Sequence, residues 1–201
     1  MELKSIIKST AKLFLKYGIR SVTMDDVARE LSISKKTLYQ YVNDKNDLVE
    51  KIILYHTSIY DTSNFHKTNN MNVIEKYIVV FNEVTQMLKN NNQSFEYDLK
   101  KYYPKQFKIL IESRRKVIMD KMTKDLVIGI KEGYFRNDLD VKKIAILHLI
   151  RIESIKNTDL LSEYGYKTID IIDELFRYHI HAIATPKGIE EYKRLNLLNH
   201  E

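Results

Sequence analysis

Between Ser34 and Lys45 the chain sets two adjacent lysines (Lys35, Lys36), a threonine (Thr37), two tyrosines (Tyr39, Tyr41) and a glutamine (Gln40) around a single leucine, Leu38. Nothing in this run pairs a nucleophile with a base or clusters metal ligands. What it offers is hydrogen-bond donors on side chains of different reach, and two cations at its leading end. That is the chemistry of contacts to phosphates and to the edges of bases.

Such a surface works only if neighbouring elements hold it in place. Leu3, Ile6, Ile7, Ala11 and Phe14 predict a first helix over about 2–17, with Gly18 just past its end. Thr23 is a natural N-cap, and Asp26 stands at capping-box spacing, so a second helix runs from there to about Leu31. Ser34 caps a third helix of about two turns. Asp44 caps a fourth, with Asp47 in its first turn, that reaches the low sixties. Ala28 is small where two helices must cross, Ser32 occupies the tight turn, and Ile33 and Leu38 are the apolar residues that lock the pair. This is a helix-turn-helix pattern, whose second helix can enter a major groove with its N-terminal residues toward the bases.

In that frame Lys35 and Lys36 reach guanine O6/N7 or a phosphate, and Thr37 a phosphate or a thymine methyl. Tyr39 offers a hydroxyl to phosphate and a ring to thymine, and Gln40 can pair with adenine or touch the backbone. Tyr41 divides between burying its ring beside Leu38 and offering its hydroxyl to a phosphate. Lys45 meets a phosphate together with the free N–H groups of the fourth helix.

Residues 5–50 resemble the DNA-binding domain of the TetR/AcrR family of bacterial transcriptional regulators. The resemblance lies in the Leu13-Phe14 end of the first helix, Gly18, the Thr23-capped helix with Val27-Ala28, the Ser34-capped helix with Thr37-Leu38-Tyr39 and Tyr41, and Lys45. Ser32 and Lys36 depart from it, standing where glycine is common. The resemblance adds phosphate contacts for Thr23 and implies a homodimer on a roughly palindromic operator in double-stranded DNA. It also implies a small-molecule effector, held among the helices of residues 72–132, that releases a repressor. The fourth helix would carry the signal between DNA and effector. The effector-binding residues themselves stay unknown.

The rest of the chain is helical at every apolar period, so the expected fold class is all-α. A three-helix DNA-binding domain, 1–46, precedes a helical effector-binding and dimerisation domain, 47–201. After a loop at 63–72, a helix runs through Ile74–Leu88 to the asparagines at 90–92. Pro104 opens a long one that stops near Gly133, two more cover about 141–156 and 168–184, and a short one follows Pro186. Ile144, Ile146, Leu147, Leu149 and Ile150 make the 141–156 helix apolar on most sides. It therefore needs partners on most sides, within the subunit or, as the resemblance implies, across a dimer. Tyr77, Phe81, Met87, Phe107, Met119 and Met122 suit a pocket but serve equally as core.

Composition narrows the remaining classes. The 201 residues carry a formal charge of +6 and no cysteine, which removes disulfides and thiolate–zinc sites. The densest apolar run, 144–150, is far short of the roughly 20 residues a membrane span needs. A cytoplasmic protein is expected. His179 and His181 lie about 200° apart around a helix, so they cannot chelate together and no metal is expected. Arg114, Arg115 and Lys116 point in different directions, as on a solvated helix. There is no glycine-rich phosphate loop and no nucleophile elbow, hence no enzyme and no cofactor is expected. Two other classes stay open: a protein-interaction module built on the helix-turn-helix, and a helical small-molecule-binding protein without operator binding.

Overall fold

The computed structural model describes residues 2–60, 70–90, 93–156 and 160–198. Among them are eleven helices and no strand: α1 Leu3–Tyr17, α2 Met24–Glu30, α3 Lys35–Leu38, α4 Lys45–Tyr60, α5 Val73–Asn90, α6 Gln93–Tyr102, α7 Pro104–Lys131, α8 Val141–Lys156, α9 Leu160–Glu163, α10 Thr168–Ile183 and α11 Pro186–Leu198. The expected all-α class holds. The expected loop at 63–72 lies mostly outside the described residues.

The chain forms two compact units. One comprises residues 1–64 and 91–114, the other 65–90 and 115–201. In the first, Ile6, Phe14, Val27, Leu38, Leu48 and Ile52 are all buried, and α1 packs against α2, α4 and α6. Helix α6 goes beyond the expected elements. Its apolar residues are few, Phe95 and Leu99 one turn apart, and the remainder of its surface is polar. Leu99 is fully buried and Asp98 nearly so. The Asp98 carboxylate accepts from the Arg20 backbone N–H at 2.8 Å. Gly18, at the end of α1, has φ 83°, and a Cβ there would lie 3.0 Å from the same carboxylate. Glycine is thus required twice at this point, by conformation and by the approach of α6.

The second unit buries Val73, Ile74, Tyr77, Met122, Leu126, Phe135, Ile180 and Ile183. Tyr77 and Met122 are core here, while Phe107 packs, partly buried, against the core of the first unit. Of the other residues that suited a pocket in sequence, Met119 packs partly buried against this core, and the Met87 side chain lies outside those described. Helix α11 is longer than expected. Its start is fixed by Thr185, whose hydroxyl accepts from the Gly188 N–H at 3.2 Å and donates to the Gly133 carbonyl at 2.7 Å. Gly188 lets this turn approach, since a Cβ would stand 2.2 Å from the Tyr134 carbonyl oxygen.

Two histidines lie beside this second core, His179 buried against Tyr77 and His148 half-buried against His179. Burial pushes His148 down to about 2, with His179 and Arg151 adding to the effect. Burial and then Arg151 push His179 down to about 3. In both cases the folded value lies below the ordinary 6.5, so below that pH the unfolded chain binds protons that the folded chain refuses. Stability is then lost as pH falls from 6.5 toward 3.

Two measurements check this packing. Gly188→Ala forces backbone apart and is expected to cost about 1–3 kcal/mol, read as a lower urea midpoint. Between pH 6.5 and 5 the urea midpoint of the whole chain should fall, with each histidine contributing up to about 1.4 kcal/mol per pH unit. A slope no shallower in His179→Gln would count against the assignment.

Candidate nucleic-acid interface

The helix-turn-helix begins with a capping box. The Thr23 hydroxyl accepts from the Asp26 N–H at 3.2 Å and donates to the Asp26 carboxylate at 2.6 Å, and the Thr23 N–H donates to the same oxygen at 2.9 Å. These bonds hold the Asp26 carboxyl below its ordinary value. Both donors of Thr23 are therefore engaged within the helix start.

The turn that follows is closed by two backbone bonds. The Ser32 N–H reaches the Arg29 carbonyl at 3.0 Å and the Ile33 N–H reaches the Ala28 carbonyl at 3.0 Å. This is the Schellman arrangement that ends many helices, and its first residue outside the helix must be left-handed. Ser32 takes that conformation, with φ 53°. Glycine would do so without strain. Ile33 then packs on the first unit's core, beside the fully buried Leu38.

Helix α3 is shorter than two α-turns. It spans Lys35–Leu38, capped by the Ser34 hydroxyl, which accepts from the Thr37 N–H at 3.0 Å. Beyond it the chain tightens: the Gln40 N–H bonds to Thr37 and the Tyr41 N–H to Leu38, both three residues back. The buried Leu38 and Val42 anchor this segment. Lys35, Lys36, Tyr39 and Gln40 are exposed, Thr37 and Tyr41 half-buried. Tyr41 packs its ring against the first unit's core.

Charge distinguishes the cations. Lys35 pairs with Asp25 at 3.0 Å, which raises its affinity for protons. Both partners are exposed, so the pair is weak and a phosphate can replace the carboxylate at little cost. Lys45, the first residue of α4, is half-buried. Desolvation lowers its pKa against the opposing pull of Asp98 and Asp26. Its Nζ donates to the Arg20 carbonyl at 3.4 Å. The α4 start is capped by Asp44, which accepts from the Asp47 N–H at 2.8 Å. Arg20 joins this group unforeseen, its guanidinium donating to the Tyr102 hydroxyl at 2.9 Å. Only its place three residues before the Thr23 cap could have marked it.

The other basic residues are placed differently. Arg114 pairs with Glu96 and Arg115 with Glu153, as on ordinary helix surfaces. His181 is exposed while His179 is buried. Among the described residues no three or more His, Asp or Glu converge, and no helix is long and apolar enough to cross a membrane.

Residues 6–52 match the family model for bacterial regulatory proteins of the tetR family. An uncharacterized HTH-type transcriptional regulator of Bacillus subtilis, YvaF, is 30% identical over 102 residues, 50% of this chain and 53% of the relative. The match thus spans about half of that relative's length. A TetR-family transcriptional regulator from Marinobacter aquaeolei has TM-score 0.69 at 16% identity, covering 97% of both chains. A putative regulator from Saccharomonospora viridis, in complex with choline, has TM-score 0.70 at 16% identity, covering 91% and 97%. FadR from Bacillus subtilis, in complex with stearoyl-CoA, has TM-score 0.61 at 14% identity, covering 89% and 98%. These structures share the fold, and each is described as a transcriptional regulator.

The turn gives a direct test. Ser32→Gly should raise stability by about 0.5–1 kcal/mol, because relief of left-handed strain exceeds the extra chain entropy of glycine. Ser32→Val should lower it. An unchanged or lower urea midpoint for Ser32→Gly would contradict the strain.

Proposed function

We propose that the chain, whose residues 6–52 match the tetR family of bacterial regulatory proteins, is a regulator of that family: a homodimeric repressor released from DNA by a small molecule. One observation carries the reading most. After the turn at Ser32, Lys35 and Lys36 stand exposed in the leading turn of α3, with Tyr39 and Gln40 exposed just past its end and Leu38 buried on the other side. A cationic tip of this form suits a major groove, with Lys35 or Lys36 on guanine or phosphate and Tyr39 on phosphate or thymine.

In this reading residues 1–46 bind DNA, and residues 47–201 take the effector and form the dimer. Ser34 and Thr37 position the tip, and Thr37 also touches a phosphate or a thymine methyl. Thr23 and Tyr41 add hydroxyls toward phosphate. In the free chain Thr23 first caps its helix, so a phosphate must compete with Asp26. Lys45 has the most to gain from a phosphate, since it is desolvated and has no carboxylate at bonding distance among the described residues. Gln40 pairs with adenine or touches the backbone.

Dimerisation has support in α8. Ile146, Leu147 and Ile150 are exposed there at helical spacing, with Ile150 54% accessible. A second copy covering this face would place two recognition helices on a two-fold axis and set a roughly palindromic operator. An effector that favours one arrangement of the dimer shifts the population toward it. Two regulators of this fold are in complex with molecules as unlike as choline and stearoyl-CoA. The fold therefore does not choose the ligand. Such a protein works in the cytoplasm.

Selection of bound sequences from a random duplex pool tests the reading, followed by affinity against salt. A steep negative slope is expected. Lys35→Ala combined with Tyr39→Ala should weaken binding of the selected duplex at least tenfold. The same double variant should flatten the salt slope by about one for each phosphate that a lysine no longer neutralises, with the dimer intact by light scattering. Recovery of no duplex, or full binding by the double variant, would overturn the reading.

A further inference from the structure

Resting on the reading that residues 47–201 take an effector, we propose that the polar anchor of that effector is the Arg151–His148–His179 group of the second unit. We further propose that the effector is a monocarboxylate with an apolar body.

Arg151 is half-buried on α8, and its guanidinium donates to His148 Nδ1 at 2.8 Å. Among the described residues it has no carboxylate at ion-pair distance. A guanidinium can only donate, so Nδ1 must be the acceptor and the His148 proton sits on Nε2. His148 is therefore a neutral donor, in agreement with the burial that depresses it. His179, on α10, is 5% exposed. Its ring lies 4.7 Å from that of His148, and its Nε2 is buried without a hydrogen-bond partner. Tyr77, on α5, stacks on His179 at 6.1 Å. The Tyr77 hydroxyl is engaged with a weak acceptor, Met122 Sδ, at 2.8 Å.

These groups amount to one cation, a donor at His148 Nε2 and an unpartnered ring nitrogen, and among the described residues the one carboxylate that acts on any of them is Asp125, on Tyr77. Asp125 does not pair with Arg151. Its burial raises its own pKa, and the cations acting on it are Lys76, Lys121 and Lys124 rather than Arg151. Leaving a desolvated guanidinium without a counter-charge, and a buried ring nitrogen without a partner, is unfavourable. Proteins keep such defects where a ligand removes them.

The charge count selects the ligand. With both histidines neutral the site carries a single positive charge, which a monoanion neutralises and a dianion overfills. The planar fork of arginine matches a carboxylate. One turn along the same helices from Tyr77 and His179, Phe81 and Phe176 stack at 4.2 Å, and Phe176 meets Tyr192 edge-on. An apolar body beside the carboxylate would lie against these rings.

The test uses the full chain and four probes: benzoate and octanoate, with benzyl alcohol and octanol as uncharged counterparts. Calorimetry should show that at least one carboxylate binds, its alcohol at least tenfold more weakly, and the ring signals of His148 and His179 should shift on binding. Arg151→Gln should weaken carboxylate binding at least tenfold. If that variant does not fold, the preference of the native chain for carboxylate over alcohol decides alone. Binding of neither carboxylate, equal binding of the alcohol, or retained affinity in folded Arg151→Gln would overturn the proposal. The same samples are titrated against the selected duplex. Duplex binding without carboxylate binding removes only the anchor. Carboxylate binding that depends on Arg151, in a chain that holds no duplex, upholds the anchor and removes the regulator.

Discussion

The geometry of the reading face depends on one left-handed residue. Two backbone bonds, Ser32 to Arg29 and Ile33 to Ala28, close the end of α2 and fix the direction in which the chain leaves it. Ile33 and Leu38 can meet the same core only if the turn has this form. Every exposed side chain of α3 inherits its direction from that turn. The position is held by serine at φ 53°, so the packing around it must outweigh a strain that glycine would avoid.

The caps act alongside this constraint. Thr23, Ser34 and Asp44 each satisfy free N–H groups at a helix start, and each therefore has part of its hydrogen-bonding capacity engaged before any ligand arrives. Lys36 and Gln40 do not, which leaves them as exposed groups on the tip. Lys45 differs again, because a cation already half removed from water meets a phosphate with less desolvation still to come.

The second unit shows the opposite use of polarity. Beside its core stand a buried and a half-buried histidine, both held below their ordinary pKa by burial, and a half-buried arginine, although hydrophobic residues of similar volume would pack there without those costs. Much of the helix-turn-helix was legible because caps, turn and apolar contacts all lie within a few residues of one another. Helix α6 was not, because Phe95 and Leu99 alone make a thin stripe and the residues that recognise its other face, Gly18 and Arg20, stand about 80 positions earlier. The group around Arg151 was hidden for the same reason. Its members come from α5, α8 and α10, whereas along the chain His179 stands beside His181 alone.

By itself the sequence determined the all-α class, the bounds of α1, α2 and α8 to within a residue or two, and the identity of the caps. Those features arise from hydrogen bonds and apolar contacts that close within one or two turns. Only tertiary structure decided that Ser32 is left-handed and that α3 tightens after one turn. It also decided that Phe107 and Tyr77 pack with different cores, and that a half-buried arginine bonds to one of two neighbouring histidines. Each of these depends on which distant surfaces meet, and on how far water is excluded when they do.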